Sequence, residues 1–380
     1  MFNFTTPPLL SLYIHIPWCV RKCPYCDFNS HQIAGELPEN DYMTALFADL
    51  EQELPRVWGR SIRSIFIGGG TPSILSPETI YNLLSGVRAR IPVVAGAEIS
   101  LEANPGTVDI SRFQGFREAG INRLSLGIQS FNDTALQNLG RIHGRDEAMN
   151  AIEAARQAGF NNINLDLMFG LPAQTIEAAL EDLDIAVAYK PSHLSWYQLT
   201  IEPNTLFYHQ PPPRLADDDL LWDMQMAGQR YLAEQGYFQY EVSAYAKAGQ
   251  RCQHNLNYWK FGDYLGIGAG AHGKISELGK ITRLSKQRHP LRYLESGVIA
   301  NCTTLTVEDV VLEFMMNALR LLEGFTIQEF IENTGLNLAC IEKTVQEGSG
   351  RGWLEVSKQR IRATETGMRF LNDLLGLFVA

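Results

Sequence analysis

The sequence predicts an α/β fold: a partial, TIM-like (β/α)6 barrel with a β-rich extension and a C-terminal, winged-helix-like helical domain. Three observations predict it. Between residues 11 and 199, apolar runs of strand length alternate with stretches of helical periodicity, six times over. Strands that each return through a helix pair in parallel, with right-handed crossovers. Pro211-Pro212-Pro213 then interrupts the rhythm, and the remaining chain is patterned differently. Six units instead of the usual eight give an incomplete barrel, and such folds keep their chemistry at the C-terminal ends of the strands.

Ser11 to Ile16 is the first strand. Asp41 to Leu54 places Tyr42, Leu46, Leu50 and Leu54 on one helical face. Ser64 to Ile67 is a strand that runs into Gly68-Gly69-Gly70-Thr71-Pro72. Pro77 to Arg88 is the next helix and Glu98 to Glu102 the next strand. Ile110 to Ala119 is a helix stopped by Gly120, and the strand Arg123 to Leu126 comes after it. Helix Arg145 to Ala158 precedes strand Ile163 to Met168, and helix Thr175 to Tyr189 precedes strand His193 to Leu199. The acidic start Asp217-Asp218-Asp219 favours a helix N-terminus, running towards Glu234. Tyr237 to Tyr264 is rich in Tyr, Phe, Trp and Asn, which predicts strands that extend or cap the barrel. Gly266 to Gly273 is a tight glycine-rich segment. A helical region begins at Thr303 and runs to Leu322. Thr326–Asn333, Leu336–Glu347 and Thr364–Leu377 read as helices, with a hairpin over Gly350 to Arg362. The resulting division is 1–200 for the barrel, 201–302 for the extension and 303–380 for the C-terminal domain.

Composition limits the function classes. The chain has 380 residues, 45% of them hydrophobic and 19% charged, as in an ordinary globular protein. A formal charge of -10 argues against nucleic acid as a partner. Met1 to Leu10 has no basic n-region, and no apolar stretch is long enough to span a bilayer. These features predict a cytoplasmic protein that meets membranes only through a partner.

Cys19-Val20-Arg21-Lys22-Cys23-Pro24-Tyr25-Cys26 carries the chemistry. Its spacing is C-x3-C-x2-C, and no second ligand pair is present to complete a structural zinc site. Three thiolates on one loop suit a [4Fe-4S] cluster with one iron open. That iron can take the amino and carboxylate groups of S-adenosylmethionine and pass an electron into its sulfonium, which cleaves a carbon–sulfur bond to give a 5′-deoxyadenosyl radical. The spacing closely resembles the signature of the radical-SAM superfamily. Cys252, Cys302 and Cys340 are scattered, as expected in a reducing compartment. The glycines after the second strand let backbone approach a ligand, with Thr71 adding a hydroxyl. Glu102, Gln129, Arg141 and Asp166 would converge on one mouth. Carboxylates and amides there can grip ribose hydroxyls, and arginine matches a carboxylate.

A closer resemblance rests on longer stretches. Tyr13-Ile14-His15-Ile16-Pro17-Trp18-Cys19, Gly68-Gly69-Gly70-Thr71-Pro72, Glu102-Ala103-Asn104-Pro105, Gly127-Ile128-Gln129-Ser130-Phe131, Leu139-Gly140-Arg141 and Asn164 to Pro172 resemble the oxygen-independent coproporphyrinogen III oxidase family. The resemblance covers most of the chain. It implies a radical-SAM barrel with Cys19, Cys23 and Cys26 on the cluster. It also implies an adenosylmethionine site of Tyr13, Tyr25, Gly69, Gly70, Thr71, Glu102, Gln129, Arg141 and Asp166. Two departures stand out. The decarboxylating members carry a further cysteine two residues after the third, where this chain has Phe28. They also carry an N-terminal extension, whereas the first strand here begins almost at once.

His254-Asn255-Leu256-Asn257-Tyr258-Trp259 instead resembles the H-N-x-x-Y-W motif of the HemW family of heme chaperones. That resemblance implies heme as a third ligand and heme proteins, respiratory ones among them, as acceptors. On the residues themselves, His254 could offer an imidazole to heme iron with Tyr258 and Trp259 against the macrocycle. Cys252 is a rival ligand that spacing does not exclude, with His272 next in line, and a histidine simply bonded inside a strand is the plainer reading. Arg283 to Arg292 is the densest basic run, either a solvated loop or a patch for heme propionates or an acidic partner. The leading expectation is heme binding and transfer without coproporphyrinogen decarboxylation. The alternatives are the decarboxylating oxidase and, disfavoured by charge, a tRNA-modifying radical enzyme.

Overall fold

The computed structural model describes residues 2–295 and 299–379. The barrel strands are β1 (Leu10–Ile16), β2 (Ile62–Gly69), β3 (Val93–Ala103), β4 (Arg123–Gln129), β5 (Asn162–Phe169) and β6 (His193–Gln198). Between them run α1 (Glu39–Glu53), α2 (Pro77–Arg90), α3 (Ile110–Ala119), α4 (Arg145–Gln157) and α5 (Ile176–Ala188). Side chains fix the helix starts: Ser76, Asp109 and Thr175 accept the third backbone N–H of α2, α3 and α5. Gly120 closes α3 in the left-handed region at φ 110°. Helix α6 (Asp218–Glu234) is capped by Asp217. The extension adds β7 (Phe238–Glu241), β8 (Ala244–Ala246), helix α7 (Gln253–Trp259), β9 (Asp263–Ile267), β10 (His272–Glu277), β11 (Lys280–Lys286) and β12 (Ile299–Thr304).

Among the described residues these strands form one sheet in the order β12-β11-β10-β9-β1-β2-β3-β4-β5-β6-β8-β7. The partial barrel predicted from six strand–helix units is present, with a correction. β9 pairs in parallel with β1, from Leu10 opposite Asp263 to Ile14 opposite Ile267. The barrel therefore has a seventh parallel strand, taken from the extension. The other strands of the extension are antiparallel and lengthen both edges of the sheet.

The aromatic stretch 237–264 is likewise not all strand, because His254 to Trp259 lies on α7. The glycine-rich stretch 266–273 forms the end of β9, a turn and the start of β10. The boundary expected after residue 302 falls inside β12. Helix α8 (Val307–Ala318) starts only after that strand. Beyond it come α9 (Ile327–Thr334), α10 (Glu342–Gly350) and a small sheet of β13 (Phe325–Thr326), β14 (Leu354–Val356) and β15 (Arg360–Ala363), ordered β13-β15-β14. This is the winged-helix-like arrangement. The helix expected over 364–377 breaks at Phe370 into two short helices. Phe314, Phe325 and Phe330 centre a second core, which also takes in Phe2, Phe261 and Ile281.

Alternation along the barrel strands separates core from lumen. Leu12, Ile14, Ile65, Ile67, Leu124, Leu126, Leu165 and Leu167 are buried in the main core, beneath the helices. The intervening residues face the lumen and are largely polar, as bonds across it show. Ser11 meets Ser64 at 2.8 Å, Ser125 donates to Asp166 at 2.9 Å, and Asn164 meets His193 at 2.6 Å. An ordinary TIM barrel fills this space with branched aliphatic side chains. A polar lumen suits a ligand.

Candidate cofactor site at the barrel mouth

The cysteine loop leaves the C-terminal end of β1. Trp18 and Cys19 form a two-residue parallel ladder with His31 and Gln32, which closes the loop at its base. Cys26 N–H donates to Cys23 O at 3.2 Å, and Lys22 Nζ donates to Phe28 O and Ser30 O at 3.2 Å each. All three thiols are free, with Cys19 buried and Cys23 and Cys26 half-buried. Burial pushes the Cys19 and Cys26 thiols up, so an incoming metal's charge must draw off their protons. Arg141 Nη1 lies 3.7 Å from Cys23 Sγ, a cation against a developing thiolate. Of the other cysteines, Cys252 is buried beneath the barrel and Cys302 and Cys340 are exposed. This donor set fits a three-thiolate cluster.

The glycine run lies against the same loop. Gly70 N–H donates to Ile16 O at 2.7 Å, and Thr71 N–H to Trp18 O at 2.8 Å. A Cβ on Gly70 would stand 2.5 Å from the Trp18 carbonyl, and Gly69 has a φ of 115°. The glycines are thus required first by close approach of the chain to itself, in addition to any ligand. Gly69 N–H donates to Glu102 Oε2 at 3.0 Å, which ties the second strand's loop to the third.

Glu102 bonds the glycine run and feels the Asp166 charge, Arg141 reaches Cys23 and the Gly127 carbonyl, and Gln129 meets Tyr197. The Glu102 carboxyl is pushed up to about 8, first by burial and then by the Asp166 charge. Gln129 sits at φ 71°, a strained backbone for a non-glycine, and its Oε1 accepts from Tyr197 O–H at 2.8 Å. Arg141 Nη2 donates to Gly127 O at 2.7 Å, while its buried Nε has no partner. An orphaned guanidinium N–H beside the cysteine loop is the type of donor that suits a carboxylate. The Oγ of Ser100 is also buried and unpartnered. Tyr25 packs against Phe207, whose N–H donates to Pro24 O at 3.0 Å, so the chain after β6 closes over the loop. These residues fit adenosylmethionine: Arg141 for the carboxylate, the glycine loop for the methionine end, Glu102 and Asp166 for hydroxyls. When bound, cluster and adenosylmethionine supply one-electron chemistry, and the protein orients them and excludes water.

Sequence reasoning missed His15 and Tyr197. His15 Nε2 donates to Asn29 O at 2.8 Å, leaving Nδ1 to accept from Tyr13 O–H at 3.0 Å. Burial lowers its pKa to about 4, so the ring is a neutral strut. Both residues occupy alternate, lumen-facing positions of apolar strands, and that alternation was the available signal.

His254 lies at the opposite end of the barrel. Its ring is 1% exposed, Nδ1 meets Ser64 Oγ at 3.0 Å and Nε2 meets Tyr258 O–H at 3.0 Å. Burial lowers its pKa to about 3. Glu98 accepts from the backbone N–H of both His254, at 3.0 Å, and Gln253, at 3.2 Å, so it caps α7. Cys252 Sγ donates to the same carboxylate at 3.5 Å. Asn257 Nδ2 donates to Asp263 O at 2.9 Å, and Arg320 stacks over Trp259 at 4.5 Å. The motif forms a plug in the barrel floor. Both His254 nitrogens are thus committed, to Ser64 and Tyr258, and offering either to a heme iron would break one of these bonds. Cys252, the rival, is buried with its thiol on Glu98. Tyr258 also borders an open cleft, and Tyr258 and Trp259 together border a second, smaller one.

The basic run divides too. Lys286 is buried between Asp49 at 2.6 Å and Glu53 at 2.7 Å. Arg283 holds Glu313 at 2.5 Å and Tyr264 O–H at 2.5 Å, leaving Arg288 and Arg292 exposed.

A parallel barrel with a polar lumen and three thiols at its mouth is the arrangement expected of a radical-SAM protein, and the chain's sequence similarities agree. The Radical SAM superfamily model matches residues 13–186, and the HemN C-terminal domain model matches residues 305–370. The chain belongs to the HemW family. It is 52% identical to the heme chaperone HemW of Escherichia coli, over 98% of this chain and 99% of that protein. It is 51% identical to the Haemophilus influenzae HemW, over 98% of each chain, and 34% identical to the Bacillus subtilis HemW, over 97% and 99%. Among solved structures, the coproporphyrinogen III oxidase HemN of Escherichia coli superposes with a TM-score of 0.82. That match covers 98% of this chain and 91% of HemN, at 23% identity, and establishes the shared fold. No helix among the described residues is long and apolar enough to cross a membrane.

Proposed function

We infer that this protein is a heme chaperone: it binds heme and hands it to acceptor heme proteins, respiratory ones among them, from a radical-SAM scaffold. One observation carries the reading, the near-full-length similarity to proteins named heme chaperone HemW, at 34–52% identity in three bacteria. The site supports it. Cys19, Cys23 and Cys26 would hold a [4Fe-4S] cluster, and Tyr13, Tyr25, Gly69, Gly70, Thr71, Glu102, Gln129, Arg141 and Asp166 would hold S-adenosylmethionine. Phe28, where the oxidases resembled here have a cysteine, is 61% exposed beside the loop. An exposed aromatic there suits a flat apolar ligand. The free Cys302 and Cys340 on the surface are in keeping with the reducing cytoplasm.

The test is anaerobic reconstitution of the cluster, titration with ferric heme, and transfer to an apo-acceptor heme protein. Stoichiometric binding and transfer are expected, with no protoporphyrinogen formed from coproporphyrinogen III in the same preparation. Catalytic protoporphyrinogen accumulation that requires Cys19 would replace this reading with the oxidase.

A further inference from the structure

A cleft of about 510 Å3 opens beside the cysteine loop, within the size range of small-molecule sites. One wall is the segment after Cys26, with Phe28. The opposite wall is the β9–β10 turn and the start of β10, with His272, and the far end carries Arg288. Tyr258 and Tyr264 form the base, their rings packed edge-on at 4.5 Å. Asn29 clamps the walls together, since its Nδ2 donates to Ala269 O at 2.9 Å and to Arg288 O at 2.8 Å. The cleft is thus built on fixed elements.

Its chemistry is specific. It joins exposed aromatic surface, an accessible imidazole and an exposed guanidinium, with one carboxylate, Asp27, at the Phe28 side. Of its two imidazoles, His15 has both nitrogens committed, whereas His272 is exposed. Partial burial and then the fields of Arg283 and Arg288 lower the His272 pKa, which favours the neutral ring that metals bind. Arg283 is occupied by Glu313 and Tyr264, whereas Arg288 is exposed and has no ion-pair partner among the described residues. A flat macrocycle carrying iron and anionic arms meets all three features.

We propose that this cleft is the heme seat, with His272 as the axial iron ligand, Phe28 against the macrocycle and Arg288 at the propionates. The proposal rests on the reading that the protein binds heme, and it moves the ligand from the barrel floor to the cluster side of the molecule. One axial position is then supplied by the protein and the other faces outward, where an acceptor's ligand can take over.

The test uses the full chain with its cluster reconstituted, titrated with ferric heme. His272→Ala is expected to lower affinity about tenfold or more and to change the Soret and ligation spectra, with the spectrum recovered by added imidazole. Its cluster absorbance and adenosylmethionine binding should match wild type, which shows that the variant is folded. Arg288→Glu should weaken binding while keeping the wild-type ligation spectrum. If wild type binds heme and His272→Ala binds it with unchanged affinity and spectrum, the seat lies elsewhere and the chaperone reading stands. If wild type binds no heme, that reading falls and this proposal falls with it.

Discussion

At the floor of the barrel, Glu98 accepts two backbone N–H groups and a thiol, and every polar atom of the His254 ring has a partner. At the mouth, Glu102 accepts a single backbone N–H, the Arg141 Nε has no partner, and His272 stands open to a cleft. Both ends have the residue types that signal chemistry: a carboxylate, a histidine, an arginine, a cysteine. They differ in unused bonding capacity. A buried polar group whose bonds are complete maintains a shape, and one whose bonds are incomplete awaits a ligand. The floor motif, although distinctive in sequence, is of the first kind.

The sharpest test is the cysteine loop. Cys19→Ser, Cys23→Ser or Cys26→Ser should each abolish the reconstituted cluster, as read by iron content and visible absorbance, because a cluster held by three thiolates has none to spare. Cys252→Ser at the floor should leave the cluster intact. Loss of the cluster in Cys252→Ser would place floor and mouth in one site.

A second test exchanges function for stability. His254→Ala leaves the Ser64 and Tyr258 hydroxyls without their partner and opens a cavity, costing about 2–4 kcal/mol of stability. The unfolding midpoint should fall, while the heme spectrum of the folded protein keeps its shape. An unchanged midpoint with a lost ligation spectrum would return the iron to the floor.

The third and smallest effect is on pH. Glu102 has a folded pKa of about 8 against an ordinary 4.5. Between those values the folded state holds a proton that the unfolded state has lost. Its contribution to stability is therefore full below the ordinary pKa and declines as pH rises towards about 8. Adenosylmethionine hydroxyls need the ionised carboxylate as acceptor, so affinity should rise by up to roughly tenfold per pH unit until about pH 8. Calorimetric titration across that range should show proton release on binding. Glu102→Gln should flatten the dependence, and a Glu102→Gln profile as steep as wild type would assign the proton elsewhere.

The sequence made the six strand–helix units legible because their helix-facing positions, such as Leu12, Ile14, Leu165 and Leu167, are uniformly apolar. It made the cysteine loop and the mouth residues legible because they lie in the later parts of the strands or in the loops that follow them. It left β9 hidden, since Asp263 to Ile267 pairs with β1 across some 250 residues of chain and no local pattern encodes a distant partner. It also misplaced the His254 motif. Tyr and Trp favour strands on average, whereas here a seven-residue helix is held by Glu98, whose role only the tertiary structure reveals. His272 stood in the sequence only as a fallback ligand; its exposure and its place on the cleft single it out.

The late arrival of β9 also sets an order of events during synthesis. The three thiols emerge near the start of translation, but the strand beside β1, the turn clamped by Asn29 and the buried Lys286 that ties Asp49 and Glu53 lie beyond residue 262. At ribosomal speeds of about 5–20 residues per second, roughly 12–50 s separate the loop from the wall that encloses it. During that interval the nascent chain shows a cysteine loop open on one side. Iron–sulfur delivery can reach it from that side before release, and once the last strands are in place Cys23 and Cys26 still line an open cleft through which the folded chain can be loaded.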